Sequence, residues 1–260
     1  MKMENKKKEK FKSIIQDKLI FSLSILIIIY FYYGFYIGEN SAGAGGYNAD
    51  FKLIWSNLLL LKQDILSNLD SPNYNDSRPP LSYILHILFN PLIDTKVNFR
   101  ISNLIISSVI PLLLFFSIKK NFKDLSHNLI FFLSVIVTLS PYFRTTAYWA
   151  LGENYGIIFL LLSYLTYKKI EEKKEFQSNP QLYLIIFFLC LFSSLVVYFD
   201  QKLVFIPFLV LYLVINLKIK LNFKIITIFL FIIFSLPYFY LIYIWQGLIP
   251  STANELRGVG

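Results

Sequence analysis

A chain of 260 residues that is 56% hydrophobic and only 16% charged, with mean hydropathy +0.56, is too apolar for a soluble domain. The net charge of +9 would suit nucleic acid, but the lysines gather in short runs between apolar blocks, and that distribution excludes such a partner. A single cysteine, Cys190, builds no disulfide framework, and His86 and His127 lack metal-ligand spacing.

Taken in order, the chain opens with a basic stretch, residues 1–18, "MKMENKKKEKFKSIIQDK". A first apolar run at 19–38 follows, long for a cleaved leader, so we read it as an uncleaved anchor despite the small residues of "SAGAGG" behind it. Six further runs lie at 101–118, 127–143, 150–167, 181–199, 203–217 and 225–245. About 20 apolar residues cross a bilayer, and fewer suffice where aromatics and lysines anchor the ends. The expected fold is an all-α polytopic membrane protein with about seven transmembrane helices and juxtamembrane helices in the first outer loop. With the N-terminus in the cytoplasm, segments 1–18, 119–126, 168–180 and 218–224 lie inside and hold 17 of the 25 Lys and Arg. That asymmetry is the positive-inside bias. Ile, Lys and Asn in abundance suit an AT-rich bacterial genome and hence a bacterial plasma membrane.

The outer loop, 39–100, carries the candidate chemistry. Apolar residues at Leu53, Ile54, Leu58, Leu61, Ile65 and Leu69 recur at helical spacing, which predicts a helix over 51–69 lying on the membrane surface with Asp50 as its N-cap. Next comes "NYNDSRPPLSYILHILFNP", residues 73–91: a polar run, Pro79-Pro80, about ten mostly apolar residues, then Pro91. This segment is too short to span, and a crossing here would invert every later loop, so it enters and leaves on the outer face. Asp76 and Arg78 stand at its mouth, and Arg100 opens the next span. A second outer cluster, "PYFRTTAYWALGEN" at 141–154, supplies Arg144, Tyr148, Trp149 and Glu153. Charges at span boundaries suit either a functional site or snorkelling and pairing, and both readings stay open.

An enzyme acting outside the cytoplasm on a lipid-borne sugar needs a carboxylate to take the acceptor's proton and cations to hold the departing phosphate. Asp50, Asp76, Arg78, Arg100, Arg144, Tyr148 and Glu153 are the residues on hand. At this point the chain resembles the polyprenyl-phosphate-dependent glycosyltransferases of the GT-C superfamily, such as the aminoarabinose transferase and the protein O-mannosyltransferases. The resemblance rests on an early outer-loop acid, matched by Asp50, and on a basic-Pro-Pro motif, matched by "RPPLSYIL" with Arg78 in the basic place. "VNFRISNLIISSVIPLLLFFSIKKNF" is similar to that family's Arg-bearing second span. As architecture the resemblance covers residues 15–245, while its specific motifs occupy 47–51 and 76–84. Phe51 stands where many of these enzymes have a second acid.

The resemblance implies Asp50 as catalytic residue, the other six as substrate-binding residues, and a GT-C-like transmembrane domain over 19–245. It further implies a polyprenyl-phosphate-linked sugar donor, a lipid, glycan or protein acceptor, and membrane lipids as surroundings. No cofactor is predicted, although a divalent metal is compatible with the chemistry. The tail 246–260 is expected outside, and the chain to be a fragment or a minimal core. The competing expectation is a lipid or sugar transporter or flippase, which calls for charges midway through spans and for internal symmetry; the sequence shows neither.

Overall fold

The structure, a computed structural model, describes residues 2–40, 46–172, 180–250 and Ala253. The side chains of the basic N-terminus up to residue 15, nearly all of "SAGAGG", most of the connection 168–180 and most of the tail 246–260 lie outside the described residues.

Among the described residues every regular element is helical. Helix α1 (Lys2–Tyr36) is followed by a π turn (Tyr47–Phe51), α2 (Lys52–Gln63), α3 (Ile65–Leu69) and α4 (Leu81–Phe89). Then come α5 (Lys96–Ser107), α6 (Val109–Asn121), α7 (His127–Val135), α8 (Pro141–Tyr148) and α9 (Glu153–Glu172). The chain continues through α10 (Pro180–Phe199), α11 (Phe205–Asn216) and α12 (Leu221–Trp245).

Among the described residues four helical stretches are long and apolar enough to cross a membrane: Gln16–Tyr36, Lys96–Asn121, Gln181–Phe199 and Leu221–Trp245. The first and last bury only 17% of their apolar windows, so their large side chains face outward, as lipid permits and water does not. These outward apolar faces are compatible with a membrane protein. The expected count of seven spans is not supported. In the run 127–143 the helix breaks at Ser140, whose side chain caps the next helix while Pro141 takes its first position; the axis turns by 71°, and the pair makes at most a fifth, broken span. Any 18-residue window of α9 holds at least three charges, and α11 has 12 residues.

Two features of the outer loop also differ from expectation. The helix over 51–69 breaks at Asp64, which turns to cap α3. Its apolar stripe faces the protein, with Leu58 and Leu61 fully buried against α4 and its neighbours, so the stripe itself is covered by protein. The segment after Pro79-Pro80 forms the expected short helix, α4, about 13 Å long and stopped at Asn90 before Pro91.

Helix ends sort into two sets. At one end Asp17 meets Ser126, Lys120 pairs with Glu172, and Tyr183 packs on Phe223. At the other, Glu39 meets Arg144, Arg78 meets Glu153, Gln201 reaches Ser77, and the Trp245 indole donates to the Leu69 carbonyl. The lysine-rich connections belong to the first set and the candidate site to the second. Pro237 interrupts α12; there the Tyr198 hydroxyl inserts into the helix, accepting from the Tyr238 N–H at 3.1 Å and donating to the Phe234 carbonyl at 2.5 Å.

Candidate functional site

The segment before Pro79 is pinned before its side chain does anything. The Asp76 carboxylate accepts the Arg78 N–H at 3.1 Å, and the Tyr74 hydroxyl donates to the Arg78 carbonyl at 3.0 Å. The Gln201 amide donates to the Ser77 carbonyl at 3.2 Å, and Asn57 and Asn75 bond α2 to the same loop. With its backbone held on both sides, Arg78 aims its guanidinium inward.

There it meets three carboxylates from three parts of the chain. Nη1 lies 3.3 Å from both oxygens of Asp76, Nε lies 3.3 Å from Oε1 of Glu153, and Nη2 lies 3.5 Å from Oδ1 of Asp50. The planar fork is what lets one cation serve three partners. Burial works against the Arg78 charge, but Asp76, Glu153, Tyr83 and Asp50 outweigh it and hold the guanidinium well above its ordinary value. The Tyr83 hydroxyl donates to the second oxygen of Asp76. Burial and then the Asp76 charge push Tyr83 well above its ordinary value, so it stays a donor.

The three acids are unequal. The side chain of Asp76 is 0% exposed and fully engaged, that of Glu153 is 9% exposed, and that of Asp50 is 24% exposed. Glu153 opens α9, where the helix dipole favours a carboxylate, yet its Oε2 has no hydrogen-bond partner among the described residues. It lines a cleft of about 100 Å3 together with Arg78, Asp200, Gln201 and Lys202. Asp200 caps the turn Gln201–Leu203, and the exposed Lys202 ammonium makes no ion pair among the described residues. Tyr142, on the first turn of α8, lies within electrostatic reach of Glu153, Asp200, Arg78 and Asp50.

A second group surrounds Arg144. Its guanidinium pairs with Glu39, donates to the Tyr148 hydroxyl at 3.2 Å and lies 4.3 Å from the Tyr30 ring centre. Tyr148 in turn donates to the Phe31 carbonyl. Gly34 leaves the room: a Cβ there would come within 2.6 Å of a Glu39 oxygen and 2.7 Å of the Tyr148 oxygen.

Arg100 has a different task. It donates to the Tyr148 carbonyl at 2.7 Å and stacks 3.8 Å from the Trp149 ring centre, while Asn103 donates to the carbonyls of Thr146 and Ala147 at 2.9 Å each. The last turn of α8 therefore finds its missing partners in α5, which is how a bent helix is tolerated in an apolar bundle. Arg100 Nη2 has no hydrogen-bond partner among the described residues.

Of the residues expected from the sequence, Asp50, Asp76, Arg78 and Glu153 converge on one point, Arg144 and Tyr148 form a neighbouring group, and Arg100 caps α8. Asp50 is not the N-cap of α2. That position falls to Phe51 without a side-chain bond, while Asp50 sits in the π turn and turns its carboxylate to Arg78. Sequence reasoning missed Glu39, Tyr83, Asp200, Gln201 and Lys202. The motif of three polar residues between the runs at 181–199 and 203–217 was a usable signal, because a connection that short need not carry Asp, Gln and Lys together. Among the described residues no three His, Cys, Asp or Glu side chains are placed to hold a metal ion; the guanidinium occupies the centre between the acids. No protein-family model, curated protein or solved structure matches the chain.

Proposed function

We propose that this chain is an integral-membrane glycosyltransferase that moves a sugar from a polyprenyl-phosphate carrier to a lipid, glycan or protein acceptor at the outer face of a bacterial plasma membrane. One observation carries the reading: three carboxylates from distant segments converge on Arg78 at the end of the bundle opposite the lysine-rich connections. The positive-inside bias orients that end outward, and a lipid-borne donor brings its phosphate and sugar to the same level.

In this reading Asp50, the most accessible of the three acids, takes the proton from the acceptor hydroxyl. The freed oxygen attacks the anomeric carbon, and the bond from that carbon to the phosphate oxygen breaks with its electron pair leaving on the phosphate. Arg78 is already matched by three negative charges, so it positions the acids. The unpaired cation of the same cleft, Lys202, is better suited to the departing phosphate. Glu153, which lines the cleft and leaves Oε2 without a hydrogen-bond partner among the described residues, is suited to accept a hydroxyl of the sugar. Arg100, Arg144 and Tyr148 hold α8 and the end of α1 against this site.

The test is to supply membranes containing the chain with radiolabelled polyprenyl-phosphate sugars and follow the label. Label in a new glycosidic product supports the proposal. Label that crosses sealed vesicles still attached to its carrier identifies a flippase and overturns it.

A further inference from the structure

Away from the Arg78 cleft, a groove of about 380 Å3 lies between α4, α5 and α9, with apolar walls that include Leu85, Phe89 and Ile106 and a polar floor. The protons of that floor can be followed one by one. Asn90 Oδ1 accepts the Leu92 N–H at 2.9 Å, which fixes the amide so that its nitrogen donates to His86 Nδ1 and to the Ser102 hydroxyl, each at 2.8 Å. Ser102 passes its own hydrogen to the Phe99 carbonyl at 2.8 Å. Because His86 Nδ1 accepts, the ring proton sits on Nε2 and donates to the Tyr155 hydroxyl at 2.7 Å. Burial lowers His86 to about 4, so the ring stays neutral and this order of donors is retained.

The last member of the chain is therefore left over. Tyr155 is more than nine-tenths buried, its oxygen already accepts, and its hydroxyl hydrogen has no acceptor among the described residues. Tyr155 lines the groove. The Tyr155 hydrogen is the one donor that this floor leaves free among the described residues, since the hydrogens of Asn90, His86 and Ser102 are all committed. The group that satisfies Tyr155 is an acceptor oxygen on an otherwise apolar molecule. The groove opens beside exposed Phe89 and Ile105 on the outward apolar surface, and α4 belongs to the polar-cluster end of the bundle. In a membrane-embedded chain the molecule at that depth, apolar but for a carbonyl, is a lipid at its ester region.

We infer that this groove is a lipid site that seats the acyl-ester region of a membrane phospholipid, its ester carbonyl accepting the Tyr155 hydroxyl hydrogen. The site is independent of any sugar-transfer chemistry.

The test compares two lipids that differ only at the carbonyl. The purified full chain is reconstituted with equal amounts of a diester phosphatidylglycerol and its dialkyl ether analogue of equal chain length. It is then re-extracted in mild detergent, and retained lipid is measured by mass spectrometry. The wild-type protein should retain the diester about fivefold over the diether, the share of one hydrogen bond. Tyr155→Phe should bring that ratio close to one. Ile106→Trp, which fills the groove and leaves the polar floor in place, should lower retention of both lipids and abolish photolabelling of α4 by a diester carrying a diazirine near its carbonyl. Equal retention of the two lipids by the wild-type protein overturns the inference, as does an unchanged ratio in Tyr155→Phe or undiminished photolabelling of α4 in Ile106→Trp.

Discussion

Replacing Arg78 with Met keeps an unbranched apolar stem but removes the guanidinium, and with it the charge on which three acids depend. Asp76 and Glu153, with side chains 0% and 9% exposed, would then be left as buried carboxylates without a counter-charge, and Asp50 would lose a longer and more exposed pairing. Removing one partner of a buried ion pair costs about 3–5 kcal/mol. The Asp50 arm adds less than about 1 kcal/mol because it is partly solvated. Arg78→Lys retains the charge, but a single ammonium cannot reach three carboxylates at once, so at least one charge-assisted bond is lost, about 1.5–3 kcal/mol. Unfolding followed by tryptophan fluorescence in a mild detergent should rank the proteins wild type, Arg78→Lys, Arg78→Met in falling stability. The decisive variant is the triple change Arg78→Met, Asp76→Asn, Glu153→Gln, which removes the buried charges together and should recover most of the loss. If Arg78→Met unfolds like wild type, or if neutralising the acids makes it worse, the guanidinium is not the hub of this cluster.

Gly34→Ala should displace the Arg144–Glu39 pair and cost about 1–3 kcal/mol, read by the same unfolding assay, because its Cβ would lie 2.6 Å from Glu39 and 2.7 Å from Tyr148. Asn103→Leu strips two carbonyls at the end of α8 of their donor and should cost about 2–4 kcal/mol; stability equal to wild type would mean that α8 needs no cap from α5. His86 has a folded value of about 4 against an ordinary 6.5, lowered by burial, so its contribution is present above pH 6.5 and is lost as pH falls towards 4. Stability should decline by about 3 kcal/mol over that window, and His86→Gln should flatten this acid limb even if it lowers the plateau.

How much of this was legible in the sequence depends on how far each partner lies along the chain. The helix α4 was readable because its signals are local: two prolines open it and Asn90-Pro91 close it. The break at Ser140 was equally local, a capping serine before a proline, but it sits inside an apolar run whose composition reads as one span. Asp50 looked like a cap because Asp before an amphipathic run usually is one. What turned it away is Arg78, 28 residues on, and a π turn that no spacing rule announces. The pairing of Arg78 with Glu153 joins residues 75 apart, and it is brought about by the packing of α4 on α10 and by the His86–Tyr155 bond that ties α4 to α9. The surface helix over 51–69 had the right stripe and the wrong neighbour, since periodicity identifies an apolar face without saying whether lipid or protein covers it.

If Asp50 is the base of a sugar transfer at this cluster, one substitution separates that role from a structural one. Asp50 caps no helix, so Asp50→Asn should leave membrane insertion and unfolding close to wild type. It should also lower transfer from a radiolabelled polyprenyl-phosphate sugar by roughly a hundredfold, the usual share of a general base. Transfer at the wild-type rate by well-folded Asp50→Asn membranes would show that Asp50 is not the base.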